Sequence, residues 1–598
     1  MFDGRIYRAA FVPLMFVLVI AAFSLTSLPA PLSSTLAPDA FNGPRAFAGL
    51  QMLVMGFPYR PPGGAGDDRL AVYIAQTLSK LGGTAGGGFQ VSTRQIHSAT
   101  IDGGRTLTTV IAERPGSTGL SPIVILAHRD AAARGSIADL SGTAVLLELA
   151  RVFSQSETRR TIVLVSTSGG SGGYAGAADF ARHDTQPLDA AIVLGDLAGA
   201  FAHKPFVLPF SSKDATAPES LQRTLDGAIS QGVGSEAGTL DLSAQLAHLA
   251  FPLATAEEAP LNAAGVPAVL VQVSGERGPS PREKVSSTRL LNFGRAVLSA
   301  TYALDEGPDI VHGDTTQLLI GRKVLPGWAI RLLALALLLP PLLVSVDALA
   351  RLRRRREPVS RWLIWTLIAA LPFLVGSLFA ILLGALGIVA APPGQPPAGA
   401  LSADGSAIGL TLSVALVLSL ALLAWFALVR RRAMPLRPSS DGAALAVMLV
   451  LLTDAMLVWI FNPVACLLLV PALHLWLLAV GPGRRREPRV RSLAYGAIAG
   501  GLLPLVLLLV FYAHELGLGV GGLAESVVLA LAGGQVGPLG AVLWSIALGC
   551  LFAVLLLVPA GQAVSPGSPE EWPQIATRGP ASYAGPGSLG GTESALRR

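Results

Sequence analysis

Between residues 326 and 559 the chain is a succession of apolar runs, each near the length of a bilayer crossing, with arginines gathered between them. An apolar run of roughly 20 residues can stand in lipid as a helix, because a helix satisfies its backbone polar groups internally. The runs fall at about 326–348, 362–388, 406–429, 442–460, 463–481, 494–513 and 537–559. The basic clusters "RLRRRREPVSR" (351–361), "RRRAMPLR" (430–437) and "RRREPRVR" (484–491) follow every second run, whereas 391–406 and the tight "FNP" turn carry almost no basic charge. An eighth run near the N-terminus follows Arg5 and Arg8. It reads as an uncleaved anchor within residues 1–30, with a signal peptide as the rival. With every arginine cluster inside, the positive-inside rule gives a multi-pass cell-membrane protein with N-terminus and C-terminal tail cytoplasmic.

Composition agrees with this division. The 598 residues are 52% hydrophobic and 14% charged, against about a quarter charged in ordinary soluble proteins. The deficit is local, because residues 31–320 are mixed in character. These residues are expected to form one domain outside the cytoplasm, followed by a membrane bundle over 326–559 and a disordered tail over 560–598. The segment 518–535 is short and Gly-rich and reads as re-entrant or interfacial. The net charge of +6 resides largely in the junction clusters. It reports topology and lipid contact and points to no nucleic acid. Both cysteines, Cys466 and Cys550, lie in expected spans, so the outer domain has no disulfide, as suits a bacterial protein.

Within 31–320, the runs "IVILAH" (123–128), "TIVLVST" (161–167), "AAIVLGD" (190–196) and "PAVLVQV" (267–273) alternate with helical patterns at 142–153 and 175–183. A further strand is expected at 106–114. Such alternation predicts an α/β domain with a mainly parallel mixed sheet sandwiched by helices. Chemistry then gathers at the carboxyl ends of the strands. Those ends carry His128 and Asp130, then Gly169 and Gly170, then Asp196.

The glycine cluster "SGGSGG" after the second of these runs fits a GxGxxA dinucleotide fingerprint from Gly170 to Ala175, with Asp196 ending the next strand. Two features oppose that reading. A strand and helix precede the fingerprint, and it leaves His128 and Asp130 unexplained. No Lys-Ser or Lys-Thr follows the glycines, which excludes a P-loop, so no nucleotide is expected.

The ordered series His128, Asp130, Asp139 and Asp196 supplies an imidazole and carboxylates at loop positions, the beginnings of a divalent-metal site. For Asp139 alone, the competing role is to cap the helix that begins near Gly142. The blocks "HRD", "DLSGTAVLLELAR", "TIVLVSTSGGSGG", "IVLGDLAG" and "APLNAAGVPAVLVQV" occur in the order found in zinc-dependent exopeptidases of the peptidase M28 type, and the chain resembles that family over residues 70–303. The resemblance implies a zinc exopeptidase-like (phosphorylase/hydrolase-like) fold. It would make His128 and Asp196 ligands of one metal, Asp139 a bridge, and Asp130 the residue orienting His128. It also exposes a deficit. The family's Glu-Glu pair, general base and ligand, falls on Gly169 and Gly170, and no His follows the 267–273 strand before His312. The expected residual half-site, His128, Asp139 and Asp196, would hold one zinc at most, or none. Glu257 and Glu258 read as surface acids of a solvated loop, with a replacement base as the alternative.

Asp454 and His474 lie in adjacent expected spans across the "FNP" turn and could pair near mid-membrane. The expectation is therefore a catalytically impaired M28-like domain on a membrane bundle, binding a peptide, envelope component or partner protein. The alternatives are an active, single-zinc aminopeptidase, and a transporter or assembly factor acting through Asp454 and His474.

Overall fold

The computed structural model describes residues 2–558 apart from 83–87, 101–102, 184–186, 311–315, 390, 395–404, 433–434, 437, 439 and 481–487. The tail 560–598 and His312 therefore lie outside the described residues. The central sheet has seven strands: β1 (Gln90–Thr100), β2 (Gly103–Arg114), β3 (Ile123–His128), β4 (Ile162–Thr167), β5 (Ala190–Leu194), β6 (Val207–Leu208) and β7 (Ala268–Val271), in the order β1-β2-β4-β3-β5-β7-β6. The inner strands β4, β3, β5 and β7 are mutually parallel, and antiparallel neighbours close both edges. This is the α/β sandwich expected, with β1 and β6 added to the strands legible in sequence.

The inner strands are apolar at successive residues because both faces are covered. Ile123, Ile125 and Ala127 point into a core shared with the helices Gly43–Gly56, Ala65–Ser79, Ser141–Gln155 and Ser287–Glu306. Val124 and Leu126 point the other way, toward Phe180 of the helix Ala175–His183 and Leu261 of the helix Glu258–Ala263. Under the sheet's carboxyl edge, Arg129 is fully buried. It pairs with Asp67 at 2.8 Å and donates to the carbonyls of Ser166 (3.0 Å) and Thr108 (2.6 Å). Asp67 also accepts from Ser168 Oγ at 2.5 Å, which ties the start of the glycine loop to this buried pair.

Among the described residues, seven helices are long and apolar enough to cross a membrane: Gly4–Phe23, Gly327–Arg354, Val359–Ala385, Ile408–Arg431, Asp441–Phe461, Arg491–Glu515 and Pro538–Leu557. Pro463–Ala479 is apolar but has 17 residues, and the Gly-rich segment forms the still shorter helix Val520–Ala532. The "FNP" turn joins the bundle to the α/β domain. Asn462 Oδ1 accepts from Val464 N (3.0 Å) and Ala465 N (2.8 Å), and its Nδ2 donates to Leu249 O at 2.7 Å. Replacing Asn462 with Ala removes a helix cap and this strut, and should cost about 1–2 kcal/mol. The check is a drop in the melting temperature of the purified full chain.

Asp454 and His474 do not pair. His474 Nδ1 meets Tyr7 Oη at 2.5 Å and its Nε2 meets Leu337 O at 2.9 Å, so the ring faces the first and second long apolar helices. Asp454 is buried, and neither carboxylate oxygen has a hydrogen-bond partner among the described residues. Placing two residues at similar depth does not set their azimuth, and successive helical positions turn by about 100°.

Candidate functional site

His128 closes β3, the glycine loop follows β4, and Asp196 lies two residues beyond β5, so parallel strand ends deliver all three to one edge of the sheet. Asp130 is fully buried and the glycine loop folds around it. Gly169 N (2.9 Å) and Gly170 N (3.0 Å) donate to its Oδ1, while Ser171 N (2.8 Å) and Ser171 Oγ (2.5 Å) donate to its Oδ2. Successive amides converging in this way form an anion nest. The nest requires φ +93° at Gly169, a conformation open to glycine at little cost. The amides that a phosphate would need are therefore occupied by the chain's own carboxylate.

His128 is held by backbone. Its Nδ1 lies 3.1 Å from the Asp130 carbonyl and 3.8 Å from the Asp130 carboxylate, so the nearer partner is the main chain rather than the side chain expected to orient it. The ring rests on Gly170 so closely that a Cβ there would stand 2.3 Å from both His128 Cβ and Cγ. Only glycine fits.

Asp139 does not cap the helix. It lies within the 3-10 turn Ala138–Leu140, and the N-cap residue of Ser141–Gln155 is Leu140, which offers no capping side chain. Asp196 is turned into its own loop, where Oδ1 accepts from Ala198 N (3.0 Å), Gly199 N (2.7 Å) and Ser141 Oγ (3.3 Å). Its Oδ2 is buried with no hydrogen-bond partner among the described residues. Burial pushes its carboxyl up to about 6.

A cavity of about 70 Å³ opens beside His128 and Asp139 and is closed by Tyr174, Glu257, Arg277 and Leu516. That is well below the ~300–1,000 Å³ typical of ligand pockets. Asp196 is not part of its lining. Among the described residues, no three His, Cys, Asp or Glu side chains are placed to hold a metal ion together. His128, Asp139 and Asp196 share an edge of the sheet, but two face the cavity and the third faces its own turn. As arranged, they do not fit a zinc ion.

The acids of the 255–263 segment are placed against expectation. Glu257 and Glu258 are 3% and 0% exposed, not solvated. Thr167 Oγ1 donates to Glu257 Oε1 at 2.6 Å, and burial pushes Glu257 up to about 7, opposed chiefly by the neighbouring His128. Glu258 has no hydrogen-bond partner for either carboxylate oxygen among the described residues, and burial drives it well above the usual carboxylate range.

Residues 109–265 match the family model Peptidase family M28. The matched stretch runs from within β2 to just before β7 and contains His128, Asp130, Asp139, Asp196 and both buried glutamates. No curated protein matches the chain in sequence. Among solved structures, glutaminyl cyclase from Porphyromonas gingivalis is 18% identical, with 44% of this chain and 98% of that one covered and a TM-score of 0.34. The aminopeptidase from Aneurinibacillus sp. strain AM-1 is 14% identical, with 46% and 97% covered and a TM-score of 0.37. BSAP, a zinc aminopeptidase from Bacillus subtilis, is 13% identical, with 45% and 99% covered and a TM-score of 0.35.

The M28-like domain thus carries several acids held above their ordinary range by burial: Asp196, Glu257 and Glu258 at this edge of the sheet, and Asp67, Glu219 and Asp226 elsewhere in the domain. From about pH 4 to 7 the folded state binds more protons than the unfolded chain at these positions, so stability falls as pH rises through that window. The melting temperature should be higher at pH 5 than at pH 8, and Glu257→Gln with Glu258→Gln should reduce the difference without abolishing it. A flat wild-type profile would contradict these placements.

Proposed function

We propose that the M28-like domain is a membrane-held recognition or assembly module with impaired catalysis, binding a peptide, an envelope component or a partner protein outside the cytoplasm. The observation that carries this reading is the glycine loop, which is closed on Asp130 and packed against His128. Neither position where the family resemblance sets a base and a metal ligand carries a side chain; Gly169 stands at φ +93°, and a Cβ at Gly170 would stand 2.3 Å from His128 Cβ. Loss of a general base alone lowers rates by about 10²–10⁴. The apolar helices and the arginine-rich junctions support placement in a membrane with the M28-like domain outside.

One observation favours a second reading, an active hydrolase. Glu257 faces the His128 cavity with a pKa near 7, within the range suited to a general base at neutral pH. The two readings separate in a turnover assay of the full-length protein on aminoacyl and N-terminal glutaminyl peptides with added zinc. The proposal expects wild type and Glu257→Gln to be equally inactive. Turnover in wild type that is lost in Glu257→Gln would replace it with the hydrolase.

A further inference from the structure

A second cavity adjoins the one at His128, sharing Glu276, Arg277, Gly278 and Pro279 with it, and lies where the M28-like domain meets one end of the helix Pro488–Glu515. It measures about 830 Å³, within the range of small-molecule sites. One wall is the domain's 201–205 and 274–281 loops, and the other is the helix end from Phe511 to Gly517. The loop and the helix end are in close contact, because a Cβ on Gly517 would stand 2.4 Å from the Arg277 guanidinium.

Two observations say what such a cavity would take. The first is a stripe. Leu503, Val506, Leu507 and Val510 are 54%, 49%, 58% and 58% exposed. Their spacing places them on one face of the helix, and the same face continues to His514 on the cavity wall. An apolar track of about two turns within the candidate membrane span Arg491–Glu515 therefore ends at the cavity wall. The second is charge. The lining sets the permanent cations Lys204 and Arg277 among four carboxylates, Asp241, Glu276, Glu283 and Glu515. Glu276 is already engaged by His248 at 2.8 Å. A purely anionic group would meet a surplus of carboxylates, and a purely apolar one would leave every charge unanswered.

We infer that this cavity binds the head group of a zwitterionic phospholipid carrying a free amine, with an acyl chain lying along the Leu503–Val510 stripe. The phosphate goes to Lys204 and Arg277, and the ammonium goes to Asp241 and Glu515. Both kinds of contact are charge-assisted hydrogen bonds, the strong class for such a ligand. The inference rests on the membrane placement proposed above but is independent of whether the domain catalyses anything.

The test uses full-length protein in vesicles of equal parts phosphatidylethanolamine, phosphatidylglycerol and phosphatidylcholine. Flotation is read first; the protein is then re-extracted and its retained lipid read by native mass spectrometry. Retention of phosphatidylethanolamine over the other two is expected. Lys204→Ala with Arg277→Ala, and separately Asp241→Asn with Glu515→Gln, should each lower it about tenfold, as loss of a charge-assisted contact implies. Lys204 and Arg277 are exposed, so their loss should leave the fold intact, which circular dichroism checks. Preference for phosphatidylglycerol, equal retention in wild type and variants, or displacement by a soluble peptide in place of lipid would overturn the inference. A chain that fails to float would overturn the membrane placement as well. One that floats without the preference overturns only the lipid site.

Discussion

Gly169→Glu with Gly170→Glu is expected to destabilise the M28-like domain and to create neither metal binding nor turnover. Gly169 sits at φ +93°, where a side chain costs about 1–3 kcal/mol. A Cβ at Gly170 collides with His128 Cβ and Cγ at 2.3 Å, and overpacking of this kind costs about 1–3 kcal/mol more. The pair should therefore lose about 2–6 kcal/mol, read as a lower melting temperature and faster proteolysis within residues 109–265 of the full chain. The physical point is that His128 has closed the space at Gly170, and that the backbone at Gly169 has taken a conformation that favours glycine. A stable double variant that gains zinc and activity would show instead that only the side chains are missing and that the backbone still fits the reaction.

Asp130→Ala should be the most damaging single substitution at the site. It removes the acceptor of three buried amides and one hydroxyl, and each buried donor left without a partner costs about 1–3 kcal/mol. Water entering the vacated space recovers part of this, so a net loss of at least about 3 kcal/mol is expected. Asp130→Asn, which keeps one acceptor oxygen, should fall between wild type and Ala. Asp139→Ala is the informative contrast. Asp139 is partly buried and caps nothing, so its loss should change stability by no more than about 0.5 kcal/mol. Equal damage from Asp130→Ala and Asp139→Ala would indicate that the two act together in a metal centre.

The elements that could be read from sequence are those whose signal is local. The inner strands β3, β4, β5 and β7 announce themselves as continuous apolar runs because both their faces are covered. The long helices do so because their apolar length is nearly uninterrupted. β1 escaped notice because "QVSTRQIHSAT" is a largely polar, partly exposed edge strand with no apolar alternation. Glu257 and Glu258 looked solvated because nothing nearby in sequence covers them. Elements distant along the chain meet this segment: Thr167 at the β4 end donates to Glu257, and Tyr174 packs with Ala254 and Ala259 on either side of the two acids. His474 finds Tyr7, 467 positions away, and no pattern in either span announces that partner.

The glycine cluster is the clearest case. Its glycines alone fit a GxGxxA fingerprint, and the blocks around them point instead to a degenerate peptidase turn. What decides its structural role is one carboxylate, Asp130, delivered by the neighbouring strand. The buried Asp67–Arg129 pair beneath it anchors Ser168, so the loop is fixed at its base as well as at its tip. Rigid support of this kind leaves the buried loop little freedom to reopen around a metal.

The most direct test of impaired metal catalysis is the zinc content of the purified full-length protein after dialysis against micromolar zinc, compared with that of His128→Ala. This account predicts no stoichiometric zinc in wild type and no difference between the two proteins. One zinc or more per wild-type chain, lost in His128→Ala and accompanied by peptide turnover, would contradict it.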